Sequence, residues 1–352
     1  MTIKSLSKKE RLFRAIKREK IDRPPCICPG GMMNMIIEDI MDITKVEWPE
    51  AHRDAEMMAK LTMGVCENGG FENFGVPFCM TVEAESMGAT VGLGTKINEP
   101  RVIEYPINSV TEWKNLKELN LNKGRTKVVL DAIKILKSKN SDVPIIANLV
   151  GPVSTASSLM EPVDYYKELR KKPKEAHEFM EFVTENLICF AKAEIEAGAD
   201  ILAISDPSGT GEILGPKLFS EFAAPYLNKI VSAIKSYTPG GTIIHICGKL
   251  KSVYGILNSL DSDVISFDSI ANVKEVANNV NNKAIMGNVS TLALEKSSPD
   301  IIKNLSRGCI KSGVNILSPA CGIGPRTKLE NIQSMVEVAK ESASENIILK
   351  SS

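Results

Sequence analysis

The sequence is poor in aromatic residues, at 5%, and has two tryptophans, three histidines and no net charge, with 43 basic side chains against 43 acidic ones. Balanced charge argues against an electrostatic nucleic-acid binder, which needs a surplus of lysine and arginine to displace counterions from phosphates. No stretch approaches the ~18 uninterrupted apolar residues of a membrane span. There is no P-loop, no Gly-x-Ser-x-Gly turn and no His-Glu-x-x-His, and Gly209-Thr-Gly211 lacks the third glycine of a dinucleotide site. The first 23 residues are basic but hold Glu10, Glu19 and Asp22 and no apolar core, so neither a secretory leader nor a transit peptide is read there. The expectation is a cytoplasmic protein with no nucleic-acid or membrane partner.

What is present is an ordinary globular mix over 352 residues, 43% hydrophobic and 24% charged. Eight cysteines, at 26, 28, 66, 79, 189, 247, 309 and 321, are scattered without a secretion signal. They read as thiols, packed side chains or metal ligands rather than a disulfide framework. Short apolar runs at 144–150, 200–205, 242–247, 263–268, 283–287 and 315–319 are bounded by Gly, Pro, Asn or Asp, the pattern of buried parallel strands. Helical segments at 175–197, 216–237 and 331–340 separate them. With two further strands, near Cys26 and over 76–82, the count reaches eight. A (β/α)8 TIM barrel with N-terminal helical elaborations follows, as one domain over 1–352, with an open doubly wound sheet as the alternative. Ser7 and Glu10 mark the start of a first helix, with Leu12, Phe13 and Ile16 as its apolar stripe and Pro24 and Pro25 as its stop.

Of the histidines, His52 and His177 read as surface or capping residues of helices. His245 differs, because it lies inside the apolar run Ile243-Ile-His-Ile-Cys247. Strand side chains alternate, so His245 and Cys247 share one face and Ile244 and Ile246 the other. The polar pair suits the barrel mouth at the C-terminal ends of the strands, where such enzymes keep their sites. Cys321 follows the last strand and Asp268 closes another, which brings two more possible ligands to the same rim. Spacing alone does not choose between a metal site and a core histidine beside two small hydrophobic thiols. Cys26 and Cys28 read as core. Glu83 and Glu85, two apart after an extended run, are candidates for acid/base work near the mouth, with solvated carboxylates as the alternative.

These residues carry a resemblance. His245-x-Cys247 with Cys321 is similar to the zinc motif of the methylcobamide:coenzyme M methyltransferases in the uroporphyrinogen decarboxylase-like superfamily. The likeness runs through Lys9-Glu-Arg-Leu, Asp22-Arg-Pro, Trp48-Pro-Glu-Ala-His-Arg-Asp-Ala55, Thr81-Val-Glu-Ala-Glu85, Gly151-Pro-Val-Ser154, Gly287-Asn288 and Pro319-Ala-Cys-Gly322. It implies a zinc enzyme that moves a methyl group from a methylated corrinoid protein to the thiol of coenzyme M or a similar small thiol. His245, Cys247 and Cys321 then take the ligand positions, with Asp268 in the place of an acidic fourth ligand. Asn148, Asp206 and Asn288 are the substrate-binding candidates. True porphyrinogen decarboxylases carry an arginine-rich segment after the first strand, and residues 28–33 here contain no arginine.

The implied ligand set suits the implied chemistry. Two cysteinates and a neutral imidazole cancel the charge of Zn2+, so a substrate thiolate joining them stays electron-rich enough to attack the methyl group on cobalt. A histidine-rich set would favour polarising water. A metal-free decarboxylase or lyase, and a non-catalytic subunit that binds a corrinoid protein, are the competing readings.

Overall fold

The structure is a computed structural model that describes residues 5–139 and 142–348. Its strands are β1 (Phe74–Val76), β2 (Thr90–Gly92), β3 (Arg101–Glu104), β4 (Ile145–Val150), β5 (Ile201–Ser205), β6 (Thr242–Ile246), β7 (Val264–Phe267), β8 (Ala284–Val289) and β9 (Ile316–Pro319). β2 and β3 pair with each other as an antiparallel hairpin. The remaining seven form one parallel sheet in the order β1-β4-β5-β6-β7-β8-β9. Every residue of β4 to β9 is buried, which is why those strands read as continuous apolar runs.

Residues 25–28 close the sheet into a (β/α)8 barrel. On one side Cys26 bridges Leu317 of β9 in parallel, with Ile27 N–H donating to Leu317 O (3.0 Å) and Leu317 N–H to Pro25 O (2.9 Å). On the other side, side chains do much of the pairing. Asn73 accepts from Cys28 N–H (3.0 Å) and donates to Cys28 O (2.8 Å), while the Glu72 carboxylate accepts from Cys26 N–H (3.0 Å). Gly75 lies so close to this segment that a Cβ would overlap the carbonyl oxygen of Pro29.

Helices cover the strands, among them Pro173–Ala197, Ala224–Ile234, Pro299–Ser312 and Leu329–Ile348. The expected strand over 76–82 is shorter than the sequence predicts: β1 stops at Val76, and a helix begins at Val82 (Val82–Met87). The first helix, Lys8–Ile16, is capped by Ser7, which accepts from Glu10 N–H (3.1 Å). It ends well before Pro24, because Arg18 turns left-handed at φ 57°. Among the described residues all eight cysteines are free, and no helix is long and apolar enough to cross a membrane.

Candidate metal centre

β6 sits between β5 and β7, and its register sets His245 beside Ser205 and Ser266. The imidazole is buried, with Nδ1 2.9 Å from Ser266 Oγ. That hydrogen bond turns Nε2 toward the mouth, where it lies 3.0 Å from Cys247 Sγ. Cys247 directly follows β6, and Cys321 comes two residues after β9. Their sulfurs are 3.9 Å apart, and all three potential ligand atoms lie within 4.8 Å of one another.

Such an arrangement fits a tetrahedral ion. Two sulfurs each about 2.3 Å from zinc stand about 3.8 Å apart, close to the separation seen here. The two thiols interact strongly. Their mutual hydrogen bond, with His245 adding to it, holds the Cys321 thiol below the ordinary thiol range and pushes that of Cys247 above it. One of the two sulfurs is thus ready to bind a cation as thiolate.

Asp268 is not one of the three converging groups. It closes the strand next to β6 and is half-buried, with Oδ2 accepting from Gly248 N–H at 3.4 Å and Oδ1 accepting from Ile270 N–H and Ser269 Oγ. The two glutamates do not share a face, since residues 82–87 are helical and side chains two apart on a helix diverge. Glu83 is buried and accepts from Val150 N–H at 2.8 Å, and burial first of all pushes its carboxyl up to about 7. Glu85 points elsewhere and pairs with Arg125 Nε at 2.5 Å. Neither the sequence motifs nor the spacing drew attention to Glu99, in the turn before β3. Its carboxyl is pushed up to about 8 by burial and then by the charges of Cys79 and Cys321.

The polar atoms of the three substrate-binding candidates are largely engaged with the protein. Asn148 Nδ2 donates to Pro29 O (2.7 Å) and Val76 O (3.1 Å), bracing the loops after the first two barrel strands. Asp206 accepts from the N–H groups of Val153 (3.2 Å) and Ser154 (2.8 Å) and from Ser154 Oγ (2.6 Å), so it serves the start of the helix Pro152–Leu159. Asn288 Nδ2 donates to Asp268 O (3.0 Å) and Ala271 O (2.9 Å), fixing the loop that carries Asp268. Asn148 Oδ1 is buried without a hydrogen-bond partner.

His52 is not a surface residue. It is 1% exposed, its ring lies 5.1 Å from Trp48 and 6.4 Å from Phe78, and burial lowers its pKa to about 3. His177 is half-exposed on its helix, stacked on Phe222 with Nδ1 2.7 Å from the Tyr226 hydroxyl. Cys26 and Cys28 are fully buried, as the core reading of that pair requires.

Comparison with known proteins adds context to this site. The family described as uroporphyrinogen decarboxylase (URO-D) matches residues 7–342. The chain is 35% identical over 334 residues to a methylcobamide:CoM methyltransferase (MtbA) of Methanosarcina acetivorans, covering 94% of this chain and 97% of that protein. It is 32% identical over 342 residues to a methylcobamide:CoM methyltransferase (MtaA) of Methanosarcina barkeri, covering 95% and 97%. Among solved structures, a methyltransferase from Methanosarcina mazei superposes with a TM-score of 0.89 at 32% identity, over 96% of this chain and 99% of that one.

Proposed function

Given that the chain belongs to the uroporphyrinogen decarboxylase (URO-D) family, we propose that it is a zinc-dependent methyltransferase of that family. It takes a methyl group from a methylated corrinoid protein and places it on the thiol of coenzyme M. The observation that carries this reading is the convergence of His245 Nε2, Cys247 Sγ and Cys321 Sγ at the barrel mouth. Relatives named for the same donor and acceptor, aligned over nearly the whole chain, support it. The lack of arginine in residues 28–33, where porphyrinogen carboxylates would need a partner, speaks against decarboxylation.

When bound, zinc supplies a Lewis acid that keeps a thiol ionised at neutral pH, where a free thiol with pKa about 8.5 is mostly protonated. The chain's own residues supply the rest. His245, Cys247 and Cys321 would hold the ion, and the two negative charges of the cysteinates would leave an incoming thiolate nucleophilic. Ser266 fixes the imidazole through Nδ1, so that Nε2 faces inward. Asp268, next to β6 and accepting from Gly248 N–H, would be the carboxylate to add to this set. We assign acceptance of the thiol proton to the Glu99 carboxylate. Glu83 is buried against Val150 and Glu85 is held by Arg125.

Metal analysis together with incubation of the protein with methylcobalamin and coenzyme M, followed by cobalamin absorbance, tests the reading. One zinc per chain and methyl transfer are expected, and Cys247→Ala loses both while keeping the fold. A zinc-free variant with full activity refutes it.

A further inference from the structure

A cleft of about 580 Å³ opens between the helix Val82–Met87 and the start of the helix Gly124–Ser138. Arg53, Lys117, Lys123 and Arg125 line it, against the single carboxylate of Glu85, which is paired with Arg125. Arg53, Lys117 and Lys123 are exposed. The whole chain is neutral, so this is a local concentration of positive charge. Arg125 is rigidly held, with Nη1 3.2 Å from Cys79 Sγ and Nη2 donating to Thr81 O (3.1 Å) and Oγ1 (2.8 Å). No side chain caps the start of the 15-residue helix beside it, which adds the positive end of that helix to the same cleft. Cys79 and Thr81 belong to the segment that leaves the C-terminal end of β1. The cleft therefore opens on the same rim as the metal centre.

A protein that lays a corrin ring over the barrel mouth also covers this rim. Resting on the methyl-transfer reading above, we propose that the cleft is the electrostatic seat for the methyl-donating protein and receives an acidic segment of its surface. Attraction of that kind steers encounter and fixes orientation, and it weakens as salt screens it.

The test removes Arg53, Lys117 and Lys123 together by substitution to alanine and leaves Arg125 in place. Transfer to coenzyme M is then measured from free methylcobalamin and from a methylated corrinoid protein, at low and high NaCl. The KM for the corrinoid protein is expected to rise roughly tenfold or more at low salt. The rate from methylcobalamin stays unchanged, and an octaglutamate peptide inhibits only the protein-donor reaction of the wild type. An unchanged KM for the corrinoid protein overturns the proposal. So does an equal loss with both donors, which would make the cleft a subsite for a small anionic substrate. A wild-type protein inert toward both donors removes the methyl-transfer reading itself, and this proposal with it.

Discussion

At the scale of single residues, the arrangement of the converging groups depends on a side chain behind them. Ser266 decides which nitrogen of His245 faces the sulfurs. Ser266→Ala is expected to weaken zinc binding by about 10–100-fold while leaving the fold intact, as loss of a ligand's supporting hydrogen bond does; competition with a chromophoric chelator measures it. Glu99 is protonated below about 8 and can accept a proton only above that. The rate of thiol methylation should therefore climb as pH rises through about 8, and Glu99→Gln should flatten that limb without changing zinc content. An unaltered pH profile in the variant would remove Glu99 from the reaction. The sequence points to His245, Cys247 and Cys321 because a histidine inside an isoleucine run is chemically out of place. It does not point to Glu99, which lies in the connection between β2 and β3 with no pattern around it. His52 is buried against the expectation for a related reason: it packs on Trp48 and on Phe78, which lies 26 residues further along the chain.

At the scale of elements, the interior strands were legible because burial on both faces leaves a β-branched signature. The closing seam is legible only as a strand near Cys26; that Glu72 and Asn73 pair with it through their side chains is not. Glu83 and Glu85, expected to share a face after the extended run over 76–82, stand instead on the helix Val82–Met87, which Glu, Ala and Met favour. The seam also carries the clearest stability prediction. Arg23 donates to both oxygens of buried Glu72, and Arg11 donates to Asp22 at 2.8 Å. Burial opposes ionisation of Asp22 and Glu72, but the arginine hydrogen bonds outweigh it and hold both carboxyls below their usual range. A carboxyl depressed in the folded state stabilises the fold fully above its unfolded pKa, about 4, and that contribution is lost as pH falls through the folded value. Urea unfolding from pH 7 downward should therefore show stability falling in acid. Glu72→Gln should cost about 3–5 kcal/mol near neutrality, since it leaves Arg23 buried without its partner, and should flatten the acid limb. Equal stability of the variant and wild type at pH 7 would contradict this account of the seam.

At the scale of the whole molecule, the barrel separates stability from chemistry. The apolar strands and helices fold around one another, while His245, Cys247 and Cys321, from the ends of β6 and β9, meet on the rim only when the barrel is closed. Residues 74 positions apart in the chain, Cys247 and Cys321, thus come to lie 3.9 Å from each other. Their meeting is the central claim, and X-ray absorption at the zinc edge of the purified protein tests it most directly. The account predicts one imidazole nitrogen and two sulfurs at about 2.3 Å around the metal, with a third sulfur appearing when coenzyme M is added. A protein that transfers methyl groups while its zinc shows no sulfur neighbours, or gains none with coenzyme M, would contradict it.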